Sequence, residues 1–115
     1  HRGMDRLKRG DVVVVALQGD YGKPRPAIVV QADAFNEVWN SITLVPVSTT
    51  ISAASLVRIT VDPSAENGLR SLSQVMADKV QTVRRDRVGP TIGHLEDEHL
   101  QRVSQALMLW LGLAA

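Results

Sequence analysis

An arginine enclosed by prolines is the first residue in this 115-residue chain whose setting suggests chemistry. Arg25 lies between Pro24 and Pro26. Each proline fixes its own φ angle, and Pro26 also pushes the residue before it toward an extended backbone. A guanidinium held in this way could grip a phosphate group with two hydrogen bonds. It could equally be a solvated charge at the edge of a strand, and the residues alone leave both interpretations open.

A second candidate is a run of hydroxyl side chains that follows another proline. Pro46 interrupts the apolar run from Ile42 to Val47, and a proline within a strand predicts an edge position or a bulge. Ser48, Thr49 and Thr50 come directly afterwards. Hydroxyls at a strand end can donate hydrogen bonds to a phosphate, although the same pattern is typical of a polar transition into a loop. If Ser48 points into a groove, strand alternation predicts that Thr49 points away from it.

Basic side chains are concentrated in one segment of the chain. The segment contains two aspartates and four basic residues: Lys79, Arg84, Arg85 and Arg87. Such a cluster could follow a nucleic-acid backbone, or it could be a charged strand edge that discourages the addition of another strand.

Several kinds of catalytic site are excluded by what the sequence lacks. The absence of cysteine rules out disulfides, zinc–thiolate sites and cysteine nucleophiles. His94 and His99 are five residues apart at the start of a helix, where they would not face each other across a ribonuclease cleft. The acidic run Glu96 to Glu98 suits the N-terminal end of a helix dipole better than a metal site. We therefore expect neither a cofactor nor a catalytic metal.

Composition and charge indicate one soluble domain, and the lack of cysteine is compatible with the cytoplasmic location that we expect. The chain is 44% hydrophobic and 22% charged, with a net charge of +1. The three residues before Met4 are expected to derive from an expression vector, and removing Arg2 among them brings the net charge to zero. A single domain should then span residues 4–115. No apolar run approaches the roughly 20 residues that a membrane span needs.

The pattern of apolar residues predicts a mainly β protein with a final helix. Short β-branched runs are separated by Gly, Pro, Asp, Asn and Ser, which favours an antiparallel sheet or a small barrel. One helical turn over Asp33 to Asn40 would place Phe35 and Trp39 on the same face. A clear helical stripe comes last and ends at Gly112, and its members are Leu100, Val103, Leu107 and Trp110.

These segments, taken in order, are similar to those of one family. The matching segments are Lys8 to Val13, Arg25 to Val30, Asp33 to Asn36, Val45 to Ser48, Gly68 to Ser71, Asp78 to Val83, Ile92 to Leu95, and the closing helix. The set resembles the MazF/PemK toxin family across essentially the whole chain. The resemblance implies a small SH3-like antiparallel β-barrel with a C-terminal α-helix.

The resemblance also implies an activity and partners. It implies a homodimeric endoribonuclease of a type II toxin–antitoxin system that cuts single-stranded RNA at short sequences without a metal. The 2′-OH of the RNA would be the nucleophile, and cleavage of mRNA would inhibit translation and growth. A cognate acidic antitoxin, similar to MazE, would block the groove.

The family's site residues can be carried over position by position. Its catalytic arginine corresponds to Arg25, and its catalytic threonine corresponds to Ser48. The remaining RNA-binding candidates are Gln18, Gly19, Asp20, Tyr21, Lys23, Thr49, Asp78, Lys79 and Gln81. The first loop is shorter than is usual for the family, and Lys79 and Gln81 stand where glutamine and arginine are usual. These differences bear on the sequence that is cut, whereas the serine at position 48 keeps the hydroxyl.

Two alternatives share the fold class. One is a CcdB-like toxin that poisons DNA gyrase by binding alone, but the chain ends Leu113-Ala114-Ala115 instead of the expected Trp-Gly-Ile. The other is an SH3-like peptide-binding module, which would use an aromatic groove. Four aromatic residues in the whole chain fit that function poorly.

Overall fold

Seven strands and two α-helices form the computed structural model, which describes residues 6–17, 22–53 and 56–114. The strands are β1 Asp11–Ala16, β2 Pro24–Val29, β3 Ser41–Ser48, β4 Arg58–Val61, β5 Ser73–Met76, β6 Gln81–Arg84 and β7 Val88–His94. The helices are α1 Asp33–Asn36 and α2 Asp97–Trp110, and short 3₁₀ turns cover Ala77–Lys79 and Arg85–Arg87. The residues expected to derive from a vector and the candidates Gln18, Gly19, Asp20 and Tyr21 lie outside the described residues.

All the strand pairs are antiparallel, so the prediction of a mainly β fold with a C-terminal helix is confirmed. The pairing follows the order β4-β5-β3-β2-β1-β7, and β6 pairs with β3 beside this path. Among the described residues the path does not return from β7 to β4. The sheet is therefore open in its pairing, and the SH3-like barrel is not confirmed. Gly89 and Pro90 lie within β7, and such residues make a strand a poor partner for further pairing.

Strand β3 is the centre of the sheet because it has three partners. It pairs with β2 along one edge, while the other edge meets β6 from Ser41 to Leu44 and β5 from Val47 to Ser48. Pro46 lies between those last two partners and is opposite Ala27 in an unbroken register. The prediction that Pro46 marks an edge or a bulge was therefore wrong. The missing N–H is tolerated because it falls where the neighbouring strand changes from β6 to β5.

The apolar side chains of the sheet form two buried clusters. Alternation along β1 sends Val12 into the first cluster and Val13 and Val15 into the second. Helix α2 covers the first cluster with the buried residues Val103 and Ala106. Each buried Val or Leu side chain contributes roughly 1.5–3 kcal/mol relative to its exposed form, so this packing fixes the helix on the sheet.

The predicted features of the two helices are largely confirmed. Gly112 ends α2 with a φ of 74°, a conformation that glycine adopts without strain. In α1 and the residues after it, Phe35 and Trp39 make an edge-to-face contact with ring centroids 5.5 Å apart. Trp110 differs from the predicted stripe, because its side chain is exposed at the end of the helix.

The start of α2 is tied to the loop before β5 by a buried polar network. The Ser64 hydroxyl donates to Glu96 Oε2 at 2.6 Å, and Asn67 Nδ2 donates to Glu96 Oε1 at 3.1 Å. Burial opposes ionisation of Glu96, but these hydrogen bonds and the nearby His99 leave its pKa below the ordinary value. A side chain at Gly93 would collide with the Asn67 backbone, since its Cβ would lie 2.4 Å from the carbonyl oxygen. No helix among the described ranges is long and apolar enough to cross a membrane.

Candidate active site

A cleft of about 320 Å³ lies where β3 passes from β6 to β5. Its lining residues come from the end of β1, from β2, from β3 and the residues after it, and from the segments around β5 and β6: Leu17, Arg25, Pro46, Val47, Ser48, Thr49, Thr50, Met76, Lys79 and Gln81. The cleft therefore brings together five of the residues predicted from sequence, which are Arg25, Ser48, Thr49, Lys79 and Gln81. The other two described candidates, Lys23 and Asp78, are not among the lining residues.

Arg25 and Ser48 share one face of the sheet because of strand alternation. Arg25 precedes Ala27 by two residues on β2, and Ser48 follows Leu44 by four on β3. Both Ala27 and Leu44 are buried in the second apolar cluster. Side chains two or four residues apart on a strand point to the same face. Arg25 and Ser48 therefore lie on the face of the second cluster, at the end where the cleft opens. The pairing of Arg25 with Val15 of β1 fixes the backbone from which the guanidinium extends.

The Ser48 hydroxyl has a defined local partner. Its oxygen accepts a hydrogen bond of 3.0 Å from the backbone N–H of Thr50. A hydroxyl that accepts through a lone pair still carries a proton that it can donate. Thr49 also lines the cleft, although strand alternation predicted that its side chain would point away from it. Alternation does not reach Thr49 because β3 ends at Ser48.

Gln74 holds the segment that follows Ser48, and sequence reasoning missed it. Gln74 is buried and lies opposite Ser48 in the β3–β5 pairing. Its Oε1 accepts the Ser52 N–H at 3.0 Å, and its Nε2 donates to the Ser52 carbonyl at 3.2 Å. A single amide thus fixes the backbone four residues after Ser48. The signal available in the sequence was a glutamine directly before the apolar residues Val75 and Met76.

An ion pair that does not itself line the cleft stabilises the same wall. Arg58 Nε and Nη2 donate to the two Asp78 oxygens at 2.7 and 2.9 Å, and Arg58 Nη1 donates to Ser52 Oγ at 3.2 Å. The hydrogen bond from Arg58 outweighs burial and lowers the pKa of Asp78 below its ordinary value. Asp78 belongs to the 3₁₀ turn that also carries Lys79. Its carboxylate therefore holds the turn in place through Arg58.

The cleft has the chemistry of an anion-binding site. The charged groups on its lining are the cations Arg25 and Lys79, accompanied by the hydroxyls of Ser48, Thr49 and Thr50. No carboxylate belongs to the lining in the described part of the chain. Such a set can hold a phosphate and stabilise additional negative charge on it.

Neither histidine takes part in this cleft. His94 Nδ1 lies 3.2 Å from Asp11 Oδ1, and His99 Nδ1 lies 3.6 Å from Glu96 Oε1. Over residues 6–17, 22–53 and 56–114, no three His, Asp or Glu side chains are grouped so as to hold a metal ion.

Comparison with known proteins identifies relatives over nearly the whole chain. The family described as "PemK-like, MazF-like toxin of type II toxin-antitoxin system" matches residues 8–111. The chain is 38% identical over 109 residues to the "Probable endoribonuclease MazF" of Mycolicibacterium smegmatis, covering 94% of this chain and 99% of that protein. It is 27% identical over 111 residues to the endoribonuclease EndoA of Bacillus subtilis, covering 93% and 96% of the two chains.

A solved structure shares the fold. It is an endoribonuclease in complex with its cognate antitoxin from a mycobacterial species, with a TM-score of 0.81 and 24% identity. The likeness covers 95% of this chain and 98% of that one.

Proposed function

We propose a reaction for this chain from the premise that it belongs to the PemK/MazF family of type II toxins. Its family makes it an endoribonuclease toxin of a toxin–antitoxin system. The finer proposal is that it cuts single-stranded RNA, mRNA above all, at a short sequence in the cytoplasm and without a metal. The observation that carries this proposal is the shared face of Arg25 and Ser48 in a cleft lined by cations and hydroxyls.

The reaction uses a nucleophile that RNA itself supplies. The 2′-OH next to the scissile phosphate passes its proton to a solvent water and attacks phosphorus, and the bond to the departing 5′-oxygen breaks as that oxygen gains a proton. The products are a 2′,3′-cyclic phosphate and a free 5′-OH. The protein must therefore orient the phosphate, stabilise the negative charge of the phosphorane and assist the two proton transfers.

Arg25 and Ser48 divide this work. A guanidinium stays protonated in proteins and is a poor base, so Arg25 acts by gripping the phosphate and stabilising charge, and it can donate a proton to the 5′-oxygen and regain it from solvent. Ser48 donates a hydrogen bond to the same phosphate. Its oxygen is held by the Thr50 N–H, which keeps the hydroxyl in the cleft.

The other candidates bind and position the RNA. Thr49, Lys79 and Gln81 line the cleft and contact the nucleotides around the scissile bond. Lys23 is exposed two residues before Arg25 and adds positive charge near the opening. Asp78 acts through Arg58 by fixing the turn that carries Lys79. Gln18, Gly19, Asp20 and Tyr21 remain proposed RNA-binding residues of the first loop.

Two protein partners belong to the proposal. One is a second copy of the chain, which would make the active form a homodimer with the barrel-like architecture of its family. The other is a MazE-like antitoxin rich in Asp and Glu, which suits a cleft lined by Arg25 and Lys79 and which we expect to be disordered until it binds. The mycobacterial endoribonuclease described above was solved with its cognate antitoxin, which supports this partner.

A substrate with one changed atom tests the reaction. Purified protein first cuts a long transcript, and sequencing of the new 5′ ends identifies the cleavage sequence. A short oligonucleotide with that sequence is then prepared with either ribose or 2′-deoxyribose at the cleavage position. We expect the ribose oligonucleotide to be cut and the deoxy oligonucleotide to stay intact. Cleavage of the deoxy oligonucleotide would contradict the proposed nucleophile.

A further inference from the structure

Two more depressions continue from the cleft along strand β6. The first has a volume of about 190 Å³, and its lining residues are Ala16, Gln81, Thr82, Val83, Arg84 and Arg87. The second has a volume of about 450 Å³, and its lining residues are Asn40, Arg84, Arg85 and Asp86. Gln81 also lines the cleft, and Arg84 lines both depressions. The three therefore adjoin in a row, and we name the two outer depressions together the β6 track.

Two arginines of the β6 track present their charge to solvent. Arg84 and Arg87 are both exposed. Arg84 Nη2 lies 2.6 Å from Asp86 Oδ2, but the two side chains are 79% and 64% exposed. An ion pair so open to water contributes little, so Arg84 can exchange Asp86 for a phosphate. Arg87 Nη2 makes a single long hydrogen bond of 3.3 Å to the Ala16 carbonyl, which leaves donors for an anion.

Arg85 has a different role, because its hydrogen bonds hold the end of the β6 track that is farther from the cleft. Its Nε donates to the Trp39 carbonyl at 3.0 Å, its Nη2 donates to the Asn36 carbonyl, and its N–H donates to the Asn40 carbonyl at 2.8 Å. These bonds attach the segment after α1 to the end of β6. That segment carries the half-exposed Phe35 and Trp39 rings, and exposed aromatic rings suit the stacking of unpaired bases.

We propose that the β6 track holds the single-stranded RNA that flanks the cleavage site on one side, with Arg84 and Arg87 contacting its phosphates. The inference rests on the proposed function, because it extends the strand that enters the cleft. From Gln81 to Arg84 the extended strand covers about 10 Å, which keeps these contacts beyond the scissile phosphate itself. Continuity with the phosphate cleft and the aromatic rings at the far end favour RNA over an acidic peptide on this surface.

Binding of an uncleavable strand tests the β6 track without requiring catalysis. The probe is a fluorescein-labelled oligonucleotide that carries 2′-deoxyribose at the cleavage position, in a short form and in forms extended with uridines at the 5′ or the 3′ end. We expect one extended form to bind the unaltered protein at least about tenfold more tightly than the short form, as charge-assisted hydrogen bonds of this kind allow. The variant R84A/R87A should lose that gain. Its slope of log K against log salt should fall by about 1.4, corresponding to two phosphates of a single strand.

The matched control for the single variant Arg84→Ala is Arg70→Ala. Arg70 is an exposed arginine that lines none of the three depressions, so its loss removes the same charge elsewhere. We expect Arg70→Ala to keep both the gain from extension and most of the salt slope. Equal losses in Arg70→Ala and Arg84→Ala would mean that only the net charge matters, and would overturn the inference.

Cleavage kinetics separate this inference from the proposed function. R84A/R87A should cut the short substrate as the unaltered protein does and should raise KM for the extended substrate with little change in kcat. Equal binding and cleavage of short and extended strands by the unaltered protein would contradict the β6 track. So would a loss in R84A/R87A confined to the affinity for an acidic antitoxin peptide. Failure of the unaltered protein to cut any RNA would contradict the proposed function alone, because unmodified short and long oligouridines would then serve as the binding probes and would still decide the track.

Discussion

The cleft and the C-terminal half of α2 differ in how far contacts within the one chain stabilise and cover them. Around the cleft, the backbone after Ser48 is fixed by Gln74 and by the Arg58–Asp78 ion pair. On α2 and just beyond it, large apolar side chains are exposed to solvent: Met108, Leu109, Trp110, Leu111 and Leu113, with exposures of 38 to 72%. Exposed apolar side chains concentrated in one segment are typical of an interaction site. A single chain can therefore build the first region, whereas we expect a partner to cover the second.

One side chain connects the two regions. Arg58 holds Asp78 beside the cleft, and it also lines a cavity of about 510 Å³ between the β4–β5 pair and α2. Leu56, Ala106 and Leu109 contribute apolar walls to that cavity. A second chain that covered α2 would thus lie close to the ion pair supporting the catalytic wall. Variants of the cleft should therefore act on cleavage within one chain, whereas variants of α2 should act on assembly with a partner.

Replacing Arg25 should have the largest effect. Arg25→Ala removes the charge that stabilises the phosphorane, and loss of one such group costs roughly 10²–10³ in rate. Because Arg25 is exposed, the melting temperature should stay close to that of the unaltered protein. Single-turnover cleavage and thermal unfolding, measured on the same sample, check both statements. A variant that cuts at the normal rate would remove Arg25 from the mechanism.

Substitutions at Ser48 should show whether cleavage depends on its hydroxyl group or on the size of its side chain. Ser48→Ala removes a hydrogen-bond donor and should lower the cleavage rate by roughly 10²-fold or more. Ser48→Thr keeps the hydroxyl and should remain active. Thr49→Ala is the neighbouring control and should cost less than Ser48→Ala, since Thr49 lies beyond the end of β3. If the alanine and threonine variants at position 48 were equally impaired, the shape of the side chain would matter more than its hydroxyl.

A charge on the exposed half of α2 should act on assembly and leave the fold intact. Leu109→Glu places a carboxylate among side chains that a second chain would bury, where an unpaired charge is costly. Light scattering at micromolar concentration should report about twice the chain mass for the unaltered protein and about one chain mass for Leu109→Glu. Gln101→Glu, on an exposed position nearer the start of the helix, is the control. A monomeric unaltered protein at high concentration would contradict the homodimer.

Removing the charge of Asp78 should lower stability in a pH-dependent way. Its pKa is lowered in the folded protein, so the ion pair stabilises the fold above the unfolded-state pKa of about 3.9. That contribution is lost as pH falls through the lower, folded-state value. Asp78→Asn should therefore cost about 2 kcal/mol at neutral pH. Urea unfolding at several pH values should show the difference from the unaltered protein shrinking in acid, and a constant difference would contradict this account.

Removing divalent cations with a chelator should have the smallest effect, because we expect no change in the cleavage rate. If cations and hydroxyls of the chain perform the reaction, excess EDTA leaves the cleavage rate unchanged. Added Mg²⁺ in an otherwise identical assay is the control for effects on the RNA itself. Loss of cleavage in EDTA that is restored by a divalent cation would show that the cleft is incomplete without a metal.

Local sequence patterns predicted the strands, and the family resemblance predicted Arg25 and Ser48 as site residues, but neither could predict the support of the cleft. β-branched runs bounded by turn residues indicated the sheet, whereas the setting of Arg25 and the hydroxyls after Pro46 left their function open. The role of Gln74 depends on its position opposite Ser48, and the Arg58–Asp78 pair depends on the register of β4 with β5. Registers between segments far apart in sequence leave no local pattern. Pro46 was misinterpreted for the same reason, because its tolerance in a central strand depends on two partners that come later in the chain.

The three partners of β3 also set an order of events during synthesis on the ribosome. Arg25 and Ser48 emerge in the first half of the nascent chain, but β5 and β6 come only after residue 72. Until those strands have emerged, one edge of β3 has no partner, and the wall formed by Met76, Lys79 and Gln81 is absent. The two residues proposed to hold the scissile phosphate are therefore translated well before the cleft is complete. We therefore expect a ribosome that makes this toxin to be exposed to an active molecule only near the end of the toxin's translation.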